Sequence, residues 1–495
     1  MSGSTADWGG RDRPGLRRLI VVLLALVAIA AVVVGGSLIT PQAASVAPPR
    51  EPLVGRTSTI CTVAPPLEGQ PADQQSAATS VTAVGVRQAP DRDGQLVGSP
   101  LDSTVESLRI TEPGKGAQLS GVRASVLLEG EGAMATATSG SVFSAATSGP
   151  DAGLSAAPCL PPATQHWFTG ISGGEVDRTE LVLSNPDDAQ AEVDLRYYGR
   201  NGRVAVAGSP GVVIGAHTSR TVSLSALDSQ EGPISVQIQA STGRVTAAAR
   251  RSRTDALKPA GVDWQVPAVA PSTTTVIPGV PAGAGGRELV VVNPGAQRAS
   301  VQVQVLGLHG GYQPSGAATV EVPAESTASV DLVPGLTGEA GAIELSSDLP
   351  VTGSVLSTNQ RDGASADLAV QSAAAPLIRT GVSALATTSA GDAELVLSNA
   401  ADTDAQVSFE VLTLDGVVIR ADDVLLAANS TATRRLTSTP PSYLVVRVPD
   451  GSAVVGDVVL TQPDGDAAGL ATIPLTSPDL ASQAPSAVPD PAAGR

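Results

Sequence analysis

The clearest catalytic pattern in the chain is GISGG at 170–174, which fits the G-x-S-x-G motif of serine hydrolases. That chemistry needs a strand, a sharp turn that exposes the serine, and a following helix. The residues after Ser172 read instead as a turn into a strand, and neither His217 nor His309 completes a Ser–Asp–His order. The pattern therefore predicts a loop, and we expect no catalytic residue and no enzyme activity.

Acidic pairs are the next candidates, because carboxylate oxygens are the ligands that Ca²⁺ prefers. They lie at Asp91–Asp93, Asp187–Asp188 and Asp464–Asp466. None extends into a twelve-residue calcium loop with a closing Glu, so polar turns are the favoured interpretation. With three histidines and two cysteines in the chain, we expect no metal and no other cofactor.

The two cysteines, Cys61 and Cys159, predict a disulfide. An even number of cysteines suits disulfide formation in an oxidising compartment. A redox-active or metal-binding pair would instead favour CxxC spacing or nearby histidines, and the sequence has neither. Closing a loop of this length restricts the unfolded chain by roughly 4–5 kcal/mol in the entropic model.

Trp167, Phe168 and Trp264 are the candidate interaction residues in a chain with only 2% aromatics. Both tryptophans fall near predicted junctions between repeats. Two interpretations remain open: the rings fill cores or pack one module on the next, or they form a platform that stacks on a sugar or a peptide partner.

Composition limits the possible partners and the fold. The net charge is −17 and no basic cluster follows the N-terminus, which argues against nucleic acid because phosphate neutralisation needs a Lys/Arg surface. Hydrophobic residues make up 42%, so cores of Val, Leu, Ile and Ala can form. The chain has 52 Gly and 38 Pro among 495 residues, and this number of turn-forming residues suits an all-β protein with many turns.

An uncharged segment at 19–39 follows arginines at 11, 13, 17 and 18. Its 21 residues would form about 31 Å of helix, enough for a bilayer core of roughly 30 Å. The positive-inside rule places residues 1–18 in the cytoplasm and the bulk of the chain outside. We predict an uncleaved, single-pass signal anchor in the cell membrane; a cleaved signal peptide is the alternative.

The rest of the chain is a tandem repeat. Related segments begin at Glu180 (ELVLSNPDDAQ), Glu288 (ELVVVNPGAQR) and Glu394 (ELVLSNAADTD), at spacings of 108 and 106 residues. Each repeat closes on a related segment, namely AGVDWQVPAVAP (260–271), SADLAVQSAAAP (365–376) and AAGLATIPLTSP (467–478). DAGLSAAPCLPP at 151–162 resembles these closing segments and indicates a diverged copy before the three clear repeats.

Alternating apolar positions predict strands, and each repeat holds seven or eight of them. Proline after Asn185 and Asn293 should stop the preceding strand. We therefore predict an all-β fold of tandem Ig-like antiparallel β-sandwiches, with a β-propeller of two blades per repeat as the alternative. The predicted order is a basic N-terminus (1–18), anchor (19–39), Pro/Ala-rich spacer (40–56), diverged module (57–162), three repeats (163–271, 272–376 and 377–476) and a flexible tail (477–495).

The segment HWFTGISGGEVDRTELVLSNP at 166–186 resembles repeats of exported actinobacterial proteins, in which a Trp/Phe-Gly segment precedes an L-x-L-x-N-P strand. Taken whole, the chain is similar to a membrane-anchored actinobacterial family of uncharacterised function. The resemblance covers residues 155–360 best, and Ala400 and Leu368 depart from its pattern. It implies location and architecture and carries no catalytic residues.

These observations favour a non-enzymatic, membrane-anchored rod of the bacterial envelope that acts through an envelope protein partner. The alternative is a surface protein that binds wall glycan.

Overall fold

The computed structural model describes residues 14–37, 54–63, 78–87, 93–146, 151–227, 229–255, 258–360, 364–385, 392–436, 441–462 and 469–478. The first 13 residues, most of the predicted spacer and nearly all of the predicted tail lie outside these ranges. Within them the protein is almost entirely antiparallel β-structure, which confirms the predicted fold class.

One α-helix, α1, runs Pro14–Ser37 and includes most of the uncharged segment. Proline suits its first position, because the missing N–H would have no partner in the first helical turn. Its large apolar side chains from Leu19 to Val32 are exposed. No helix in the described part of the chain has the combination of length and apolarity needed to cross a membrane. All strands belong to a separate compact unit, Leu53–Ala481.

The strands form four modules. Module 1 contains β1 (Arg56–Cys61), β2 (Ala78–Gly85), β3 (Gly94–Pro100), β4 (Leu108–Ile110), β5 (Lys115–Ser120), β6 (Val126–Gly132), β7 (Thr138–Ala146) and β8 (Gly153–Pro158). Module 2 contains β9 (Gln165–Ile171), β10 (Asp177–Asn185), β11 (Ala191–Gly199), β12 (Gly202–Val204), β13 (Val212–Ile214), β14 (Thr218–Ser223), β15 (Ile234–Thr242), β16 (Thr246–Asp255) and β17 (Lys258–Gln265).

Module 3 contains β18 (Ser272–Val280), β19 (Arg287–Asn293), β20 (Ala299–Gly307), β21 (Gly310–Tyr312), β22 (Thr319–Val322), β23 (Ser326–Asp331), β24 (Gly341–Asn359) and β25 (Asp367–Ser372). Module 4 contains β26 (Thr380–Leu385), β27 (Asp392–Asn399), β28 (Ala405–Thr413), β29 (Val418–Leu426), β30 (Ser430–Leu436), β31 (Ser442–Arg447), β32 (Val454–Thr461) and β33 (Leu470–Pro474).

Every module is a sandwich of two sheets in the same strand order. Sheet a contains the module's first strand and sheet b its last; in module 2 these are β12-β11-β15-β9 and β14-β10-β16-β17. Module 1 has the same strand order, β4-β3-β6-β1 and β5-β2-β7-β8. In module 3 the 19-residue β24 serves both sheets, pairing with β20 through its first half and with β19 through its second.

The modules form a closed ring, because sheet a of each one packs on sheet b of the next. Hydrogen bonds join the layers at all four interfaces: Ser219 Oγ to Ser125 Oγ (3.5 Å), Thr327 Oγ1 to Tyr198 O (2.7 Å), Thr431 Oγ1 to Leu306 O (2.6 Å) and Ser141 Oγ to Ala384 O (2.8 Å). The last of these joins module 1 to module 4.

The predicted rod is therefore wrong. A rod leaves the first and last modules apart, whereas Tyr443 of module 4 lies in one apolar cluster with Val84 and Met134 of module 1. Its hydroxyl also donates to Gly114 O at 2.6 Å. The sheets stack face to face around the ring, as the blades of the alternative propeller would. Each module nevertheless keeps its own sandwich core.

A buried asparagine at the end of a strand fixes the same turn in modules 2, 3 and 4. Asn293 Nδ2 donates to Gln297 O (2.7 Å), Val322 O (3.1 Å) and Pro323 O (3.1 Å), while its Oδ1 accepts from Gly295 N–H. Asn185 and Asn399 make the corresponding bonds. Strand β27 ends at Asn399 although Ala400 replaces the proline, so the amide rather than the proline is the constant feature.

We predict that Asn293→Ala lowers the free energy of unfolding by about 2 kcal/mol, because carbonyls buried beside it lose their donor. Asn293→Asp should have a similar effect, since a carboxylate cannot donate to them. Urea denaturation measures both variants against Asn201→Ala in an exposed turn, which should change little. Equal stability of Asn293→Ala and wild type would contradict this role.

Candidate functional site at the ring axis

Four edge strands meet where the modules converge. Strands β8, β17, β25 and β33 each end their sheet b and contact one another around the ring. As edge strands, they each present a row of backbone groups that no strand of their own sheet can satisfy. Their closing segments place Gly153, Gly261, Asp367 and Gly469 at equivalent positions, so one carboxylate stands among three glycines.

The Asp367 carboxylate binds backbone N–H groups of all four strands. Oδ2 accepts from Leu154 N at 2.9 Å and Leu470 N at 2.8 Å. Oδ1 accepts from Val262 N at 3.2 Å and Leu368 N at 2.9 Å. Each donor follows one of the four equivalent positions, so a single side chain satisfies one N–H from every module.

The glycines leave room for this carboxylate. A Cβ at Gly153 would lie 2.6 Å from Asp367 Oδ1, and a Cβ at Gly261 would lie 2.9 Å from the same atom. Both glycines also have positive φ, 135° and 117°, where other residues are strained. The close approach of the strands therefore requires glycine at these two positions.

A second carboxyl lies one step along the axis. Asp263 Oδ1 accepts from Ala156 N at 3.1 Å. Asp263 is fully buried, and its Oδ2 has no hydrogen-bond partner. Asp263 of β17 thus accepts an N–H of β8 at a second level of the same axis.

Burial is the largest influence on the pKa of both carboxyl groups. It raises the pKa of Asp367 to about 7, although four N–H donors act in the opposite direction. Burial, with a smaller contribution from the Asp367 charge, raises the pKa of Asp263 well above its usual range.

A third buried carboxyl, Asp457, lies between modules 3 and 4. It packs against Gly279 of β18, where a Cβ would approach its side chain to 2.4 Å, and its Oδ1 has no partner. Burial raises its pKa to about 7. The equivalent residue between modules 2 and 3 is Ser354, whose hydroxyl donates to Thr169 O at 3.0 Å.

These carboxyls are placed for structure rather than for reaction. Asp263, Asp367 and Asp457 are 0–1% exposed, so a substrate has no access to them as general acids or bases. Across the described ranges, no group of three or more His, Cys, Asp or Glu side chains could hold a metal ion.

The aromatic candidates are buried, and the structure does not bring them together in one site. Trp167 packs into the core of module 3, with its ring 5.7 Å from that of Tyr198. Trp264 packs with Ala157 between modules 1 and 2, and Phe168 fills the core of module 2. These positions match the packing interpretation. A stacking platform needs an exposed ring face, which none of the three offers.

The hydrolase pattern is not a nucleophile elbow. Ser172 lies in the connection between β9 and β10, where Thr179 N donates to Ser172 O at 2.8 Å, and a strand follows rather than a helix. This agrees with the predicted loop.

The disulfide Cys61–Cys159 is confirmed, with an S–S distance of 2.01 Å. Of the acidic pairs, Asp187 forms an ion pair with Arg244 (2.9 Å), and Asp188 Oδ1 is hydrogen-bonded to His217 Nε2 (2.8 Å). Asp91 and the 464–466 pair lie outside the described residues.

The sequence reasoning missed the three buried aspartates. The available signal was an aspartate at 367 where the other closing segments have glycine, since the repeat alignment alone shows that difference. Asp457 carries no comparable signal, because its opposing partner, Gly279, belongs to another module.

The fold and the axial carboxylates define a repeat-built all-β protein, a closed ring of four sandwiches. The chain belongs to the DUF5719 family, a family of unknown function whose model matches residues 111–437. That match reaches from module 1 into module 4.

No curated protein matches the chain. Among solved structures, a glycosyl hydrolase family 2 member from Bacteroides cellulosilyticus DSM 14838 is similar at 9% identity and a TM-score of 0.12. The match covers 58% of this chain and 36% of that one, so the chain spans about a third of its length.

We predict that Asp367→Ala lowers the free energy of unfolding by at least about 3 kcal/mol, because four buried N–H groups lose their acceptor. Asp102→Ala, at an exposed position, is the control and should change stability little. Urea denaturation followed by circular dichroism measures both. A loss below about 1 kcal/mol for Asp367→Ala would contradict the capping role.

We predict that Asp457→Ser flattens the pH dependence of stability. With a pKa near 7 in the folded state and near 3.9 when unfolded, Asp457 holds its proton more tightly when folded. Its contribution therefore stabilises the protein below about pH 4 and is lost as pH rises to 7. Relative to wild type, the serine variant should gain up to about 4 kcal/mol between pH 4 and pH 8. An unchanged difference between the two proteins across this range would show that Asp457 does not titrate there.

Proposed function

We propose that the protein is a non-enzymatic scaffold of the bacterial cell envelope, anchored in the cytoplasmic membrane through residues 19–39, with its ring outside the cytoplasm. It acts through contacts with an envelope protein partner. The observation that carries this proposal is the use of the buried polar groups: the axial carboxylates bind the protein's own backbone N–H groups and are closed to a substrate.

Two observations support an extracytoplasmic location. The Cys61–Cys159 disulfide suits an oxidising compartment. The segment at 19–39 carries no charge and follows four arginines, as expected of a signal anchor.

Protein contact is favoured over glycan binding, because sugar platforms use exposed aromatic faces. Of the nine aromatic side chains that the structure describes, only Tyr312 is not buried. Four sandwiches in a ring instead offer a broad outer surface of strand edges and turns.

In-cell crosslinking of the full-length protein, followed by mass spectrometry, tests the scaffold role. We expect an envelope protein among the products, and a serine-reactive probe should label wild type no more than Ser172→Ala. Recovery of wall glycan alone would contradict protein contact, and probe labelling that disappears in Ser172→Ala would contradict the non-enzymatic role.

Cell fractionation tests the anchor. We expect the full chain in the membrane fraction and partial release of the Leu24→Asp, Val27→Asp double variant, because a charge at the centre of a spanning helix costs about 2.5–3.5 kcal/mol. The matched control is Val105→Asp, Val176→Asp, at two exposed positions in the strand-bearing unit. A wild-type chain that is released by salt alone would contradict the anchor.

A further inference from the structure

Strand β29 differs from its counterparts at the outer edge of the ring. It has nine residues, whereas β13 and β22, which hold similar positions in modules 2 and 3, have three and four. It ends the sheet β26-β31-β28-β29, and no described strand pairs with its other side. Its pairing with β28 is regular from Arg420 to Leu426 and shifts once at Ile419. A long edge of this kind is a template for another strand.

Apolar side chains are concentrated on and beside this edge. Val417, Val418, Ile419 and Leu425 are exposed by 60%, 48%, 45% and 63%. Outside α1, nine large apolar side chains are exposed among the described residues, and these four all lie between positions 417 and 425. Such clustering marks an interaction surface rather than scattered exposure.

We propose that β29 pairs antiparallel with β29 of a second copy of this chain, about a two-fold axis beside Ala421. The structure thereby gains a continuous eight-stranded sheet across two rings. This assembly does not depend on the proposed envelope function.

The charges on the strand select this register. Arg420 Nη2 lies 3.8 Å from Asp422 Oδ2 in the same chain, so both side chains occupy one face of the sheet. With Ala421 opposite Ala421, each Arg420 faces Asp422 of the second copy. Shifting the centre by one residue would place Arg420 opposite Arg420 or Asp422 opposite Asp422, and like charges directly opposite are destabilising.

The apolar residues fit the same register. Val417, which precedes β29, faces Leu425, and Val418 faces the buried Val424. Each pair occurs twice because the interface is self-complementary. Ile419 faces Asp423, and this is the one pair in the register that joins an apolar side chain to a charged one. A second copy therefore suits the edge in both its charged and its apolar positions.

Cysteine crosslinking of the full-length chain tests the register. Residues directly opposite each other in an antiparallel pair have Cα atoms about 4.5–5.5 Å apart, within reach of a disulfide. Both native cysteines are already paired. Under mild oxidation, Ala421→Cys should give a disulfide-linked species of twice the 49.3 kDa chain. The control is Val213→Cys on β13. We expect about tenfold less dimer from this variant, which corresponds to a difference of about 1.4 kcal/mol in the free energy of pairing.

Sedimentation of two variants tests the contacts. Leu425→Glu removes two Val417–Leu425 pairs per dimer and should raise the dimer dissociation constant about tenfold. Val213→Glu, also at an exposed edge position, should leave it unchanged, and matching circular dichroism spectra establish that both variants fold. Three results would overturn the proposal: equal crosslinking of the Ala421→Cys and Val213→Cys variants, an unchanged dissociation constant for Leu425→Glu, or capture of a different protein by the Ala421→Cys variant without self-product.

Discussion

The free edges of four β-strands meet on one axis, and the ring depends on how their N–H groups find acceptors. In a sheet these groups would bind another strand, but four edges converging on a line cannot all pair with one another. The carboxylate of Asp367 solves this by accepting one N–H from each module, and Asp263 accepts an N–H of β8 at a second level. Without an acceptor, each buried donor would cost about 1–3 kcal/mol. The convergence of the modules therefore depends on two side chains from two of them.

Around this axis the interfaces between modules share one kind of hydrogen bond, and one of them differs in a buried side chain. A hydroxyl of one module donates to a backbone carbonyl of the next, as Thr327 does to Tyr198 O and Thr431 does to Leu306 O. Asp457 takes the place that Ser354 holds one interface away, and it has no partner for Oδ1. The interface between modules 3 and 4 thus contains a buried carboxyl oxygen without a hydrogen-bond partner, and the protonation of this carboxyl couples the interface to pH.

The local architecture was predictable, whereas its closure was not. Alternating apolar residues predicted the strands, and the prolines after Asn185 and Asn293 predicted where two of them end. The paired cysteines predicted the disulfide. The ring, in contrast, depends on contacts such as Ser141 with Ala384, which lie 243 residues apart and leave no periodic trace. A lone aspartate in a closing segment also looks like an ordinary turn residue. Its role arises from the N–H groups of Leu154, Val262 and Leu470 in the other three modules.

The Asp367 carboxylate also limits the number of repeats that the ring can contain. In an open array of repeats, a unit can be gained or lost with little effect beyond its neighbours. Here the side chain at 367 reaches one donor in each of four units and has no acceptor capacity arranged for a fifth. Deleting one unit would leave this side chain short of a donor, and inserting one would widen the axis beyond its reach. The four donors around Asp367 therefore match a ring of four units.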